Sequence, residues 1–109
     1  MMENAGSYLE MASGALSRGD YLSALRFARQ ASVVPEGQAA VRCDAYVLSA
    51  LSSLEMGMAE DALAFAVGAH LSARRARCEE REERAASLVA FIVSRCPHLA
   101  DGETMPTLH

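Results

Sequence analysis

The chain has no tryptophan and no lysine, and its 109 residues include only three each of tyrosine, phenylalanine, proline and cysteine. Each scarcity excludes something. With so few rings, the core must be filled by Ala, Leu, Val and Met, and alanine at this density favours helices lying close together. No long alternating Val/Ile/Thr run is present to build a sheet. Cys43, Cys78 and Cys96 are odd in number and widely spaced, without a Cys-x-x-Cys pair. They supply no disulfide framework and fit free thiols in a reducing compartment. A zinc site from Cys43, Cys78, Cys96 and His98 lacks any short-spaced pair to pre-organise it. No glycine-rich loop follows a strand, so the usual phosphate cradle is missing as well. Neither a metal nor a cofactor is expected.

The longest apolar run, residues 88–93, is far too short to cross a bilayer. The first residues lack the basic stretch and apolar core of a signal peptide. The net charge of −4 argues against nucleic acid and anionic membranes as partners. The basic run Arg74, Arg75, Arg77 is followed at once by Glu79, Glu80, Glu82 and Glu83, which repel phosphate. A soluble, cytoplasmic, all-helical domain is the expectation.

What is there is a repeated pattern. Breakers and caps divide the chain into helices over about 5–17, 21–33, 38–56, 59–73 and 77–95. Gly19 ends the first, and Asp20 can cap the second. The run Val34-Pro35-Glu36-Gly37 stops the second, Gly57 the third, and Cys96-Pro97 the fifth. Shifting the chain by 38 residues lays Tyr8 on Tyr46, Ala12 on Ala50, Leu16 on Leu54 and Gly19 on Gly57. Beyond the glycine, Ala24, Leu25, Phe27, Ala28 and Ala31 fall on Ala62, Leu63, Phe65, Ala66 and Ala69. A helix, a glycine turn and a second helix, used twice at this period, is the mark of a helical solenoid. The fifth helix is then the cap, with Ala85, Leu88, Val89, Ile92 and Cys96 on one face. The segment 97–109, punctuated by Pro97, Gly102 and Pro106, is expected to be a flexible tail.

In its first copy, with Tyr8, Ala12, Gly19-Asp20-Tyr21, Ala24-Leu25, Phe27, Ala31 and Pro35, the sequence resembles the tetratricopeptide repeat family. The second copy keeps Tyr46, Ala50, Gly57, Ala62, Leu63, Phe65 and Ala69, and replaces the Asp-Tyr pair by Met58-Ala59. The resemblance covers residues 5–73 and implies a single domain over 1–96, with repeats at 5–34 and 38–73 and a cap at 77–95. It also implies that the first helix of each repeat lines a concave surface against which partners lie. Carried over, that surface comprises Leu9, Ser13, Leu16 and Ser17 from one repeat, and Asp44, Val47, Leu51, Leu54 and Glu55 from the other. Leu9 and Ser13 stand where carboxylate-clamping members carry Lys and Asn, so a carboxylate clamp is not expected.

The histidines offer no i, i+4 pair, and Asp44, His70 and Ser72 would form a triad only by accident of folding. An enzyme is not expected. A largely apolar groove suits an amphipathic helix or apolar segment of another protein. The resemblance extends to the small chaperones of bacterial type III secretion, whose length and acidity are similar. The alternative is a structural protein whose apolar faces pair in a homodimer, since a short solenoid must cover its open ends.

Overall fold

Gly19 and Gly57 both take a left-handed backbone, at φ +80° and +76°, a conformation that costs a residue with a Cβ but not glycine. In this computed structural model, which describes residues 4–35 and 38–101, they end helices α1 (Ala5–Ser17) and α3 (Ala39–Glu55). Helices α2 (Tyr21–Ser32) and α4 (Ala59–Arg75) follow directly. Each turn is closed by the same two bonds. The Gly19 and Asp20 amides donate to the carbonyls of Leu16 and Ala15, and those of Gly57 and Met58 to Leu54 and Ser53. Carbonyls that a helix end leaves free are thereby satisfied. Asp20 also caps α2, its Oδ1 accepting from the Ser23 amide at 3.3 Å.

A third turn of this build joins α4 to α5 (Glu79–Arg95), with Arg77 donating to the Arg74 carbonyl and Cys78 to that of Ala73. Here the left-handed position, φ +53°, is held by Arg77. The sequence reading starts the last helix at 77 and ends the fourth at 73; α4 instead runs to Arg75, and Arg77 and Cys78 make the turn. The connection from α2 to α3 differs in kind. Proline at 35 prevents the helix from continuing, and Arg42 Nη2 binds the Val34 carbonyl at 3.1 Å to hold the crossing strand of chain. Glu36 and Gly37, part of that breaker, lie outside the described residues.

Successive helices pack along one another, and α1 touches α3 as α3 touches α5. Thus α1, α3 and α5 form one layer, with α2 and α4 behind it. The shortest dimension, 20 Å, is that of two helices stacked. No strand occurs among the described residues.

The 38-residue shift holds in the packing as well as in the letters. Ala12, Ala15, Ala24, Leu25, Ala28 and Ala31 are buried, and so are their counterparts Ala50, Ser53, Ala62, Leu63, Ala66 and Ala69. Tyr8 stacks on Phe27 with ring centres 6.5 Å apart, and Tyr46 on Phe65 at 6.3 Å, with interplanar angles of 25° and 29°. Small residues let the helices close up, and the ring pairs fill the wider spaces. At Gly68 the approach of α4 to α3 is tight, since a Cβ there would lie 3.2 Å from the Tyr46 ring.

Helix α5 seals the far end with the face expected of it. Ile92 is buried with Ala50, Ala62, Leu63 and Ala66, and Leu88, Val89 and Cys96 pack against that cluster. Ala85 joins a second cluster with Cys43, Ala69 and Ala73. The structure differs from the expected tail at its first residues. Pro97–Asp101 is a 3-10 turn, and Leu99 inserts fully into the first cluster. One large apolar side chain gains enough from burial to fix a segment whose composition suggests fraying. Residues 102–109 lie outside the described residues.

Candidate interaction groove

The layer of α1, α3 and α5 encloses a groove of about 340 Å³. Leu9, Glu10 and Ser13 come from α1, Asp44, Val47 and Leu48 from α3, and Arg84 from α5. Two wall pairs are themselves related by the repeat: Leu9 with Val47, and Glu10 with Leu48. The groove therefore follows from nesting two equivalent hairpins side by side, with α5 added as a third wall.

Of the nine residues carried over from the resemblance, Leu9, Ser13, Asp44 and Val47 meet here. Leu54 and Glu55 line a different hollow with Gly57, Ala59, Phe91, Arg95 and Cys96. Leu54 also packs against the core beside Ile92. Leu16, Ser17 and Leu51 line neither hollow. Their positions on α1 and α3 carry them past the end of the groove.

Asp44 is not an open acceptor. Arg81 reaches across from α5, with Nε on Oδ1 and Nη2 on Oδ2, both at 3.0 Å. This bidentate pair, about a third exposed on each side, matches the planar fork of guanidinium to carboxylate. Its hydrogen bonds to Asp44 are also the largest cause holding Arg81 well above the usual arginine range. With Asp44 and Arg81 neutralising each other, the charges left at the groove are Glu10 on one wall and Arg84 on the other. Arg84 has a loose contact with Glu80, 3.4 Å away at i, i+4 on an exposed face, the attraction expected from the spacing.

Glu10, Leu48 and Arg84 were not anticipated from the sequence. Glu10 and Leu48 adjoin Leu9 and Val47 in the chain, so a broader stripe along the helix would have included them. Arg84 carries no such signal, because it lies on the capping helix, outside the two repeats.

The other candidate chemistry does not assemble. His70 Nε2 lies 3.8 Å from Glu82 Oε1, Ser72 is buried, and Asp44 is held by Arg81. These three residues therefore make no triad. Among the described residues, no group of three or more His, Cys, Asp and Glu is arranged to hold a metal ion. Cys43 and Cys96 belong to separate core clusters. No helix of the described residues is long and apolar enough to cross a membrane.

These features define the chain as an all-helical protein of consecutive packed hairpins with an apolar groove on one layer. Comparison with known proteins yields no matching family, no matching curated protein and no matching solved structure.

Proposed function

We propose that this protein is a non-enzymatic interaction module of the tetratricopeptide-repeat type, whose groove holds an amphipathic helix or apolar segment of another protein. The observation that carries the reading is the groove itself: apolar side chains from two structurally equivalent hairpins, Leu9 with Val47 and their neighbours, converge on one hollow. Recognition of this kind rests on buried apolar anchors within a polar rim. Glu10 and Arg84 supply that rim. The module works as an adaptor or chaperone, and shielding of an aggregation-prone secreted subunit is the special case that an apolar floor suits. The large apolar side chains left exposed among the described residues, Leu22, Val33, Met58, Leu71 and Phe91, are distributed over α2, α4, α5 and the ends of α2 and α4. They favour the homodimer less than the groove favours a partner.

The test is copurification from the native host with the wild type and with Leu9→Asp and Arg84→Glu, both checked for unchanged helicity. The reading expects a stoichiometric partner that Leu9→Asp loses and Arg84→Glu weakens. Retention of the partner by both variants would overturn it. A concentration-dependent dimer by light scattering, with no other protein retained, would establish the homodimer instead.

A further inference from the structure

Away from the groove floor, reactive groups concentrate where the start of α5 meets α3. Cys78 is the last residue of the third tight turn, and its amide donates to the Ala73 carbonyl at 3.2 Å. Its sulfur lies 3.5 Å from Arg81 Nη1. The same guanidinium holds Asp44, the chain neighbour of Cys43. Cys43 is buried and packs with Ala69, Ala73 and Ala85. Cys43 thus packs against Ala73, whose carbonyl accepts from the Cys78 amide, and the two cysteines flank the Asp44–Arg81 bridge, Cys43 as the chain neighbour of Asp44 and Cys78 through its sulfur on Arg81.

Their environments are opposite. The Arg81 backbone amide first, and then its guanidinium, hold the half-exposed Cys78 thiol below the usual range. Burial first, and then the Asp44 charge, push the Cys43 thiol up. A negative charge on Cys78 adds to that upward push. One thiol is open and easily ionised, the form that reacts. The other waits, protonated, inside.

We propose that Cys43 and Cys78 are a redox pair that closes to an intrachain disulfide, tying the start of α5 to α3 when the protein meets a peroxide. The Cys78 thiolate attacks one peroxide oxygen, breaking the O–O bond and releasing water once the leaving hydroxide takes a proton. Cys78 is then a sulfenic acid. Cys43 gives up its proton and attacks the Cys78 sulfur, forming the S–S bond and expelling the second hydroxide as water. Two thiols and one hydrogen peroxide become one disulfide and two waters, each sulfur losing one electron and the peroxide gaining two. Arg81 remains on Asp44 throughout, so the groove wall keeps its bridge. The proposal is independent of whether the groove binds a partner.

The whole protein is treated with stoichiometric hydrogen peroxide, alkylated under denaturing conditions and mapped by mass spectrometry. The expected result is loss of two hydrogens, a cross-linked peptide pair joining Cys43 to Cys78, alkylation of Cys96 alone, and full reversal by dithiothreitol. Cys78→Ser replaces the thiol at a helix start where serine is favoured, so it folds; it abolishes the cross-link, whereas Cys96→Ala leaves it intact. The proposal is overturned by a Cys78 sulfinic acid beside an alkylated Cys43. A link to Cys96 or between two chains overturns it equally.

Discussion

Replacing Ser53 by alanine should make this protein more stable. Ser53 is fully buried, and among the described residues its Oγ is the buried side-chain polar atom without a hydrogen-bond partner. Its counterpart in the first repeat is Ala15, buried to the same extent. Nearby Ser49 and Ser52 differ, since their hydroxyls donate to the carbonyls of Ala45 and Leu48 at 2.9 and 2.8 Å. An unpaired buried hydroxyl costs about 1–3 kcal/mol, and alanine adds a few tenths through helix propensity. Against this stands the loss of one small atom's packing contacts, about 1 kcal/mol or less. The net gain is about 1–2 kcal/mol. At a urea slope of about 1–3 kcal/mol per molar, the unfolding midpoint rises by roughly 0.3–2 M. The assay is urea denaturation followed by circular dichroism, with Ser49→Ala and Ser52→Ala as controls that move the midpoint little. Ala15→Ser is the reciprocal test and should lower stability by a similar amount. A Ser53→Ala midpoint at or below wild type, or one no higher than the Ser49→Ala control, refutes the reasoning.

Arg77→Gly relieves a side chain held at φ +53°. Left-handed geometry costs about 1–2 kcal/mol, less about 0.5–1 kcal/mol for glycine's greater unfolded freedom, so calorimetry should show Tm rising by up to about 10 °C. Leu99→Ala empties a fully buried site and should cost about 2–4 kcal/mol in urea; an effect near zero would mean that the turn after α5 does not dock. Iodoacetamide should modify Cys78 first, with a midpoint below that of a free cysteine, because its thiol is held low by Arg81. Cys43, buried with its thiol pushed up, should stay unmodified until the chain unfolds. Its folded-state shift also stabilises the protein below the ordinary thiol range, a contribution lost as pH rises through that range and beyond.

Much of the fold was legible because the signals were local. Gly19 and Gly57 announced left-handed turns, Asp20 a cap, and the alanine spacing a buried face, each decided within one helical turn of chain. The turn at Arg77 was not legible, because arginine there works against local preference and the packing of α4 on α5 imposes it. Leu99 was hidden for a similar reason: prolines and glycine around it read as a tail, and only the cavity beside Ile92 gives it a seat. Of the groove, Leu9, Ser13, Asp44 and Val47 were carried over from the resemblance to the tetratricopeptide repeat family, and the structure sets them round one hollow. Arg81 on Asp44 and Arg84 at the rim were not legible, since both depend on how α5 lies across α3, a relation 37 residues apart for the bridge that no spacing rule encodes.

The two hairpins are built alike, and six Tyr and Phe rings can report on both at once. The protein has only Tyr8, Tyr21, Tyr46, Phe27, Phe65 and Phe91, so a nuclear Overhauser spectrum with protons confined to those rings is simple to assign. Two Tyr–Phe cross-peaks, Tyr8 with Phe27 and Tyr46 with Phe65, are predicted at comparable intensity. A spectrum with one of these pairs missing, or with Tyr8 coupled to Phe65 or Tyr46 to Phe27 in its place, contradicts that likeness.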